Sequence, residues 1–250
     1  MTFAVAAESY DRFMGRYSVQ LAAQLADFAG VQAGQRVVDV GCGPGALTGE
    51  LVRRVGGDLV AAVDPSEPFV AAARARHPSV EVQLASAEEL PFEDEAFDVA
   101  LAQLVVHFMA DPVAGLREMA RVTRVGGVVA ACVWDHAGDR TPLAAFWEAA
   151  RELDPGVHDE SDLAGARDGH LRELLEAAGL DSVEEATLTA ELELASFEDW
   201  WEPFTLGVGP AGAYAKSLTD VSRLRDRCRE LLGSPPFTVS AVAWAARGAV

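Results

Sequence analysis

The sequence predicts an α/β protein with a doubly wound, mostly parallel sheet of seven strands and helices on both faces. Three observations predict it. Short apolar runs rich in valine alternate with alanine- and charge-rich stretches of helical length over the first 134 residues. The first clear run ends in closely spaced glycines, Gly41, Gly43 and Gly45, that open into a helical stretch. The 250 residues, half of them apolar, supply core for one large domain spanning residues 1–250.

Each element has a reason in the sequence. Residues 1–30 carry Tyr10, Phe13, Met14, Tyr17, Leu21 and Leu25 at helical spacing, which predicts one or two amphipathic helices laid over the core as a lid. Strands are expected over residues 36–40, 59–63, 80–84, 97–102 and 128–134, each short and mostly apolar, as strands buried on both faces are. Helices are expected over 46–55, 67–76 and 113–125, the last with Val113, Leu116, Met119 and Ala120 on one stripe. Beyond Trp134 the alternation lapses. Residues 135–167, with Pro142 and Pro155, read as a cap insertion. A helix over 168–178 ends at Gly179, and an acidic strand follows over 183–194. Residues 195–235 form a second cap insertion holding Trp200, Trp201 and Phe204, with a closing helix over 220–232, and the last strand covers 237–246. The core sheet is therefore assigned to residues 31–134, 168–194 and 236–250, as five parallel strands with two more at one edge.

Composition excludes several classes of function. With 20 basic against 39 acidic side chains the formal net charge is −19, whereas phosphate binding draws on clustered positive charge. Nucleic acid is not an expected partner, and a small neutral or cationic ligand fits better. No apolar run approaches the ~18 residues that span a bilayer, so no membrane insertion is expected. Residues 1–13 include Glu8 and lack a basic segment followed by an apolar one, so no secretory signal is expected. Cys42, Cys132 and Cys228 are odd in number, far apart and in no C-x-x-C pair, which suits a reducing cytoplasm better than a disulfide framework or zinc ribbon. The run His158, Asp159, Glu160, Ser161, Asp162 lacks the alternation and glycine of a calcium loop and reads as a solvated loop, so no metal is expected.

The chemistry begins at Val37-Val38-Asp39-Val40-Gly41-Cys42-Gly43-Pro44-Gly45. A strand that ends in glycines and opens a helix lets a ligand approach the backbone at the carboxyl edge of the sheet. Two cofactors compete for it. Gly41-x-Gly43-x-x-Ala46, with Asp64 about 20 residues on, satisfies a dinucleotide fingerprint. Asp39, two residues before the first glycine, would repel a pyrophosphate in a partly dry crevice and attract a cofactor carrying an ammonium and a sulfonium.

These residues resemble the class I S-adenosylmethionine-dependent methyltransferases, in particular the type 11 group related to the ubiquinone and menaquinone biosynthesis methyltransferases. The resemblance extends from the glycine motif through Val63-Asp64-Pro65-Ser66, Ala85-Ser86-Ala87-Glu88-Glu89-Leu90-Pro91-Phe92 and Phe97-Asp98-Val99 to Arg117-Glu118-Met119-x-Arg121-Val122 and Gly126-Gly127. It implies a Rossmann-like fold, S-adenosyl-L-methionine as cofactor and S-adenosyl-L-homocysteine as product. It places Asp64 and Pro65 at the ribose, Gly41, Cys42, Gly43 and Gly45 around the methionine moiety with Asp39 helping to hold its ammonium, and Ser86 and Ala87 beside the adenine. Ser86 departs from the aspartate common there, so its contact should be weaker. The backbone of Gln103 is placed at the methionine end, and Tyr10 and Arg16 close over the cofactor, with Arg16 near its carboxylate.

Methyl transfer asks a protein chiefly for alignment of acceptor, methyl and sulfur. A base is needed only where the acceptor loses a proton. Of His77, His107, His136, His158 and His170, only His107 falls four residues past Gln103 at the end of the fourth strand, which makes it the catalytic candidate, with Asp135 and His136 behind it. Phe146, Trp147, Trp200, Trp201 and Phe204 lie in the two insertions and predict a small-molecule acceptor that is apolar or aromatic, of phenolic or polyketide-like character. A nicotinamide-dependent oxidoreductase and a cofactor-binding protein without methyl transfer stay open as alternatives.

Overall fold

The computed structural model describes residues 7–250; the first six residues of the expected lid, and that part of the stretch read for a secretory signal, lie outside them. Helix α1 (Ala7–Tyr10) runs through a π turn (Asp11–Gly15) into α2 (Arg16–Phe28). The π turn buries Phe13 and Met14 together, before α2 lays Tyr17, Leu21 and Leu25 on the core. Then follow β1 (Val37–Val40), α3 (Ala46–Val55), β2 (Val60–Asp64), α4 (Glu67–Arg76), β3 (Glu81–Leu84), β4 (Phe97–Gln103), α5 (Pro112–Val122) and β5 (Thr123–Trp134). The remainder is α6 (Ala144–Leu153), α7 (His170–Ala177), β6 (Asp181–Leu194), α8 (Phe197–Trp201), α9 (Gly209–Ser217), α10 (Ser222–Leu232) and β7 (Phe237–Ala249).

All seven strands form one sheet in the order β3-β2-β1-β4-β5-β7-β6, parallel except for β7, which is antiparallel to both its neighbours. Successive side chains point to opposite faces of a strand, and here each face meets its own core. Val37, Val99, Leu101 and Ala130 join the core beneath α2 and α3, whereas Val38, Val40, Ala100 and Val129 join the core beneath α5 and α7. The chain winds outward from β1 to β3 and then restarts at β4 on the other side of β1. The crevice between β1 and β4, outside their carboxyl ends, is where an open α/β sheet binds its ligand.

Two expectations about elements need correction. The helix expected to reach residue 125 stops at Val122, because Thr123 turns extended, pairs with Phe97 across the sheet and donates its hydroxyl to the Met119 carbonyl (2.7 Å). Its start is set by Asp111, whose carboxylate accepts from the Ala114 N–H (3.0 Å). The cap insertions are also more regular than their prolines suggest, since they contain α6 in the first and α8 and α9 in the second. Phe146 of α6 stacks on Phe204 at 4.6 Å, and that pairing between the insertions supplies the burial that neither sequence has alone. Among the described residues no helix is long and apolar enough to cross a membrane.

Candidate functional site

Two cavities meet at the carboxyl end of the sheet. The larger, about 400 Å³, is lined by Gly41, Gly43, Asp64, Pro65, Ser86, Ala87 and Gln103, with Tyr10 on one side. Its floor is the loop after β1. The N–H groups of Gly41 and Cys42 both donate to the Val63 carbonyl (2.8 and 2.9 Å), which ties the loop to β2. Gly41 has φ +74°, and a Cβ there would stand 2.5 Å from the Val105 side chain. At Gly43, φ +53°, a Cβ would meet nothing within 4 Å and would project into open space. Gly41 therefore makes room for Val105, and the bare backbone at Gly43 is what lets a ligand lie on the loop.

Asp64 stands at the end of β2, 6% exposed. It accepts from the Gly43 N–H on one oxygen and from the Ser66 N–H on the other, both at 2.8 Å. Burial raises its pKa, and the two backbone donors oppose that rise. Each carboxylate oxygen has a second lone pair for a ligand hydroxyl. Gln103 ends β4; its amide Nε2 donates to the Ser18 carbonyl (3.0 Å), and its buried Oε1 has no partner among the described residues.

Three of the glycine-motif residues stand back from the cavity. Asp39, Cys42 and Gly45 do not line it. Asp39 is buried below the loop, where its carboxylate accepts the Thr48 hydroxyl at 2.6 Å, and burial pushes its pKa up to about 7 against that hydrogen bond. The Cys42 thiol is buried and pushed well above its usual range, chiefly by desolvation, so it is a packing group. Arg16 also lies outside the lining, and its guanidinium donates to the Asp199 carbonyl of α8 (3.2 Å). That contact fastens the N-terminal helix to the second insertion, a role its sequence position does not reveal.

The smaller chamber, about 40 Å³, shares Tyr10, Leu104 and Phe108 with the larger cavity as a common wall. Phe13, Met14, His107, Trp134, His136, Leu143, Glu160 and residues 208–211 complete it. His107, on a 3-10 turn after β4, is buried with its Nδ1 unpartnered, and desolvation followed by the neighbouring His136 holds it neutral. The two imidazoles stand 5.7 Å apart. Burial holds His136 down at about 4. Asp135 is instead engaged in structure, accepting from the Gly138 N–H (2.9 Å), the Trp244 indole (3.0 Å) and the Arg140 guanidinium.

Two expectations about this region change. Glu160 is not solvated: it is 3% exposed, accepts the Trp147 indole N–H at 2.9 Å and is pushed up to about 7 by burial. A charge run at the surface of a sequence gives no sign that one member turns inward. The aromatic residues Phe146, Trp147, Trp200, Trp201 and Phe204 do not line the chamber but pack behind it; its rings are Tyr10, Phe13, Phe108 and Trp134. Leu104 lies in both linings with φ +59°, a left-handed conformation that nothing in the residues around it signals, because a leucine rarely adopts it. Among the described residues no group of three or more histidine, cysteine or acidic side chains could hold a metal ion.

A cationic amino acid joined to a nucleoside fits the larger cavity. Its volume suits a ligand of that size, Asp64 presents two oxygens to vicinal hydroxyls, and the orphaned Gln103 oxygen can accept from an ammonium. Among the described residues no lysine or arginine lines it.

The comparisons with known proteins agree. Residues 38–131 match the family profile described as a methyltransferase domain, Methyltransf_11. The chain is 36% identical over 127 residues to a malonyl-[acyl-carrier protein] O-methyltransferase of Erwinia billingiae, covering 51% of this chain and 49% of that protein. It is 34% identical over 154 residues to a ubiquinone biosynthesis O-methyltransferase of Rhizobium etli, covering 59% and 60%. The matched stretch thus spans about half the length of the first of these relatives. The fold is also that of the geranyl diphosphate C-methyltransferase of Streptomyces coelicolor in complex with S-adenosyl-L-homocysteine, with a TM-score of 0.55 over 92% of this chain and 78% of that one at 17% identity. From β1 into β5, residues 38–131 are thus similar to the methyltransferase domain family Methyltransf_11, and the sheet around them has the fold of solved methyltransferases.

Proposed function

We propose that this protein transfers the methyl group of S-adenosyl-L-methionine to a small, apolar or aromatic acceptor. One observation carries the reading: a cavity floored by bare glycine backbone and edged by Asp64 shares a wall with a second, aromatic chamber, so that donor and acceptor would meet across Tyr10, Leu104 and Phe108. In the larger cavity Asp64 would hold the ribose hydroxyls beside Pro65, Ser86 and Ala87 would border the adenine, and Gly41 and Gly43 would lie under the methionine moiety. Gln103 would accept from its ammonium, and Asp39 beneath the loop would add negative charge without contact. Cys42 and Gly45 would shape the loop, with helices α1 and α2 as the lid over it.

The cofactor, when bound, supplies a methyl group made electrophilic by its sulfonium sulfur. The chain's own contribution is alignment and exclusion of water. The left-handed Leu104 turns the backbone after β4 so that Val105 supports the glycine loop while His107 faces the chamber. His107, held neutral by burial, would take the proton of an acceptor that must lose one. Among the described residues no lysine or arginine lines either cavity, and Glu160 lines the smaller one, so an acceptor without negative charge is favoured. The reading supposes a cytoplasmic setting, in keeping with three free, buried cysteines.

Calorimetry tests the cofactor: S-adenosyl-L-homocysteine should bind with a micromolar dissociation constant and NAD should not, and the opposite result would replace this function with nicotinamide chemistry. Transfer of label from methyl-labelled cofactor to any acceptor separates an enzyme from a binder. For His107→Ala, a kcat within a few-fold of the parent at unchanged cofactor affinity would remove the base from the scheme.

A further inference from the structure

Six buried side-chain polar atoms among the described residues have no hydrogen-bond partner, and four of them are Trp134 Nε1, His107 Nδ1, and Nδ1 and Nε2 of His136. All three side chains line the 40 Å³ chamber, at 3, 7 and 4% exposure. A buried polar group left unpaired is destabilising and rare, so chance does not collect four such atoms around one cavity. We propose that this chamber is a recognition site for the uncharged, hydroxyl-bearing head of the methyl acceptor, which accepts from the Trp134 indole N–H and donates to an imidazole nitrogen of His136 or His107.

The donor inventory selects the group. An indole N–H only donates, whereas a neutral imidazole offers one donor and one acceptor. Burial keeps both histidines in that neutral form. A hydroxyl is the smallest group that accepts and donates at once. A carboxylate only accepts and would face Glu160 across a lining that has no lysine or arginine. An ammonium only donates and would leave the indole N–H unpaired. The chamber has room for only a few water-sized groups, so it takes the head of a molecule and not its whole body. The apolar remainder of the lining, Phe13, Met14, Leu143 and Val208 among it, suits the carbon skeleton to which the hydroxyl is attached.

This inference rests on the methyl-transfer reading for calling the occupant an acceptor, but its test needs no turnover. Protein saturated with S-adenosyl-L-homocysteine is titrated by calorimetry with phenol, with toluene, which has the same shape without the hydroxyl, and with benzoate. Phenol should bind at least tenfold more tightly than either. Trp134→Phe and His136→Phe should each erase that preference, while His136→Gln, which keeps a donor and an acceptor, should retain part of it. Binding of S-adenosyl-L-homocysteine should stay within twofold in all three variants. Should Trp134→Phe fail to fold, the His136 pair decides alone. Equal binding of phenol and toluene, no binding of phenol, or tighter binding of benzoate each overturns the proposal, the second by leaving water as the chamber's occupant. Failure of the parent protein to bind S-adenosyl-L-homocysteine is a different result and overturns the function instead.

Discussion

The two cavities are built by different means. The larger is made from backbone: its floor is a loop whose Gly41 and Cys42 N–H groups are committed to β2, and Asp64 at its edge is held by the N–H groups of Gly43 in that loop and of Ser66. The smaller is made from side chains brought in from α1, the π turn, the ends of β4 and β5, and both insertions. A backbone site is specified by a short contiguous stretch and tolerates change around it. A side-chain site needs separate segments to arrive together, so it can be rebuilt for another ligand without disturbing the first. A common donor and a variable acceptor would divide a fold along that line.

Four measurements would break or sharpen this contrast. The largest effect is expected at Asp64, where Asp64→Ala removes a charged acceptor of two ligand hydroxyls at roughly 1.5–3 kcal/mol each and should weaken S-adenosyl-L-homocysteine binding about 100-fold or more, read by calorimetry. Gln103→Leu should weaken it by about tenfold, since it deletes the orphaned Oε1 and leaves the Ser18 carbonyl without its donor. A change below twofold at either position would mean that the cavity does not seat this ligand in the way described.

Acid–base behaviour gives the two smaller effects. Burial raises Asp39 from 3.8 to about 7, so its contribution to folding is fully present below pH 4 and is lost as pH rises toward 7. The ammonium of S-adenosyl-L-homocysteine favours the ionised form, so affinity for that ligand should rise several-fold from about pH 6 to 8 and become flat over that range in Asp39→Asn. Glu160 has the same sign, raised from 4.5 to about 7. His136, lowered from 6.5 to about 4, has the opposite one: its contribution is present above pH 6.5 and is lost as pH falls toward 4. The two oppose each other inside one chamber. Glu160→Gln should therefore raise the melting temperature by several degrees at pH 8 and leave it unchanged near pH 4, where the parent carboxyl is already protonated. An equal rise at both pH values would point to packing and not to charge.

How much of this was legible in sequence follows the same division. The alternation of apolar runs and helices, the glycine motif and Asp64 are local signals. The inner strands β1, β2 and β4 lie within a residue or so of where their own composition puts them, because a strand buried on both faces must be apolar through most of its length. The end of α5 was not legible, since Thr123 leaves the helix for a partner strand 26 residues earlier in the chain. Nor was Glu160, whose burial depends on Trp147 of a neighbouring helix, or Arg16, whose partner is a carbonyl 183 residues away.

Sequence alone determined the sheet, its winding and the residues at the carboxyl ends of β1 and β2, because periodicity and glycine spacing act through the backbone next to them. Only the tertiary structure decided which side chains face the second chamber, which of the acids lose their water, and which nitrogens are left without partners. Those properties belong to packing between segments far apart in the chain, and no local pattern of residues encodes a neighbour that arrives from elsewhere.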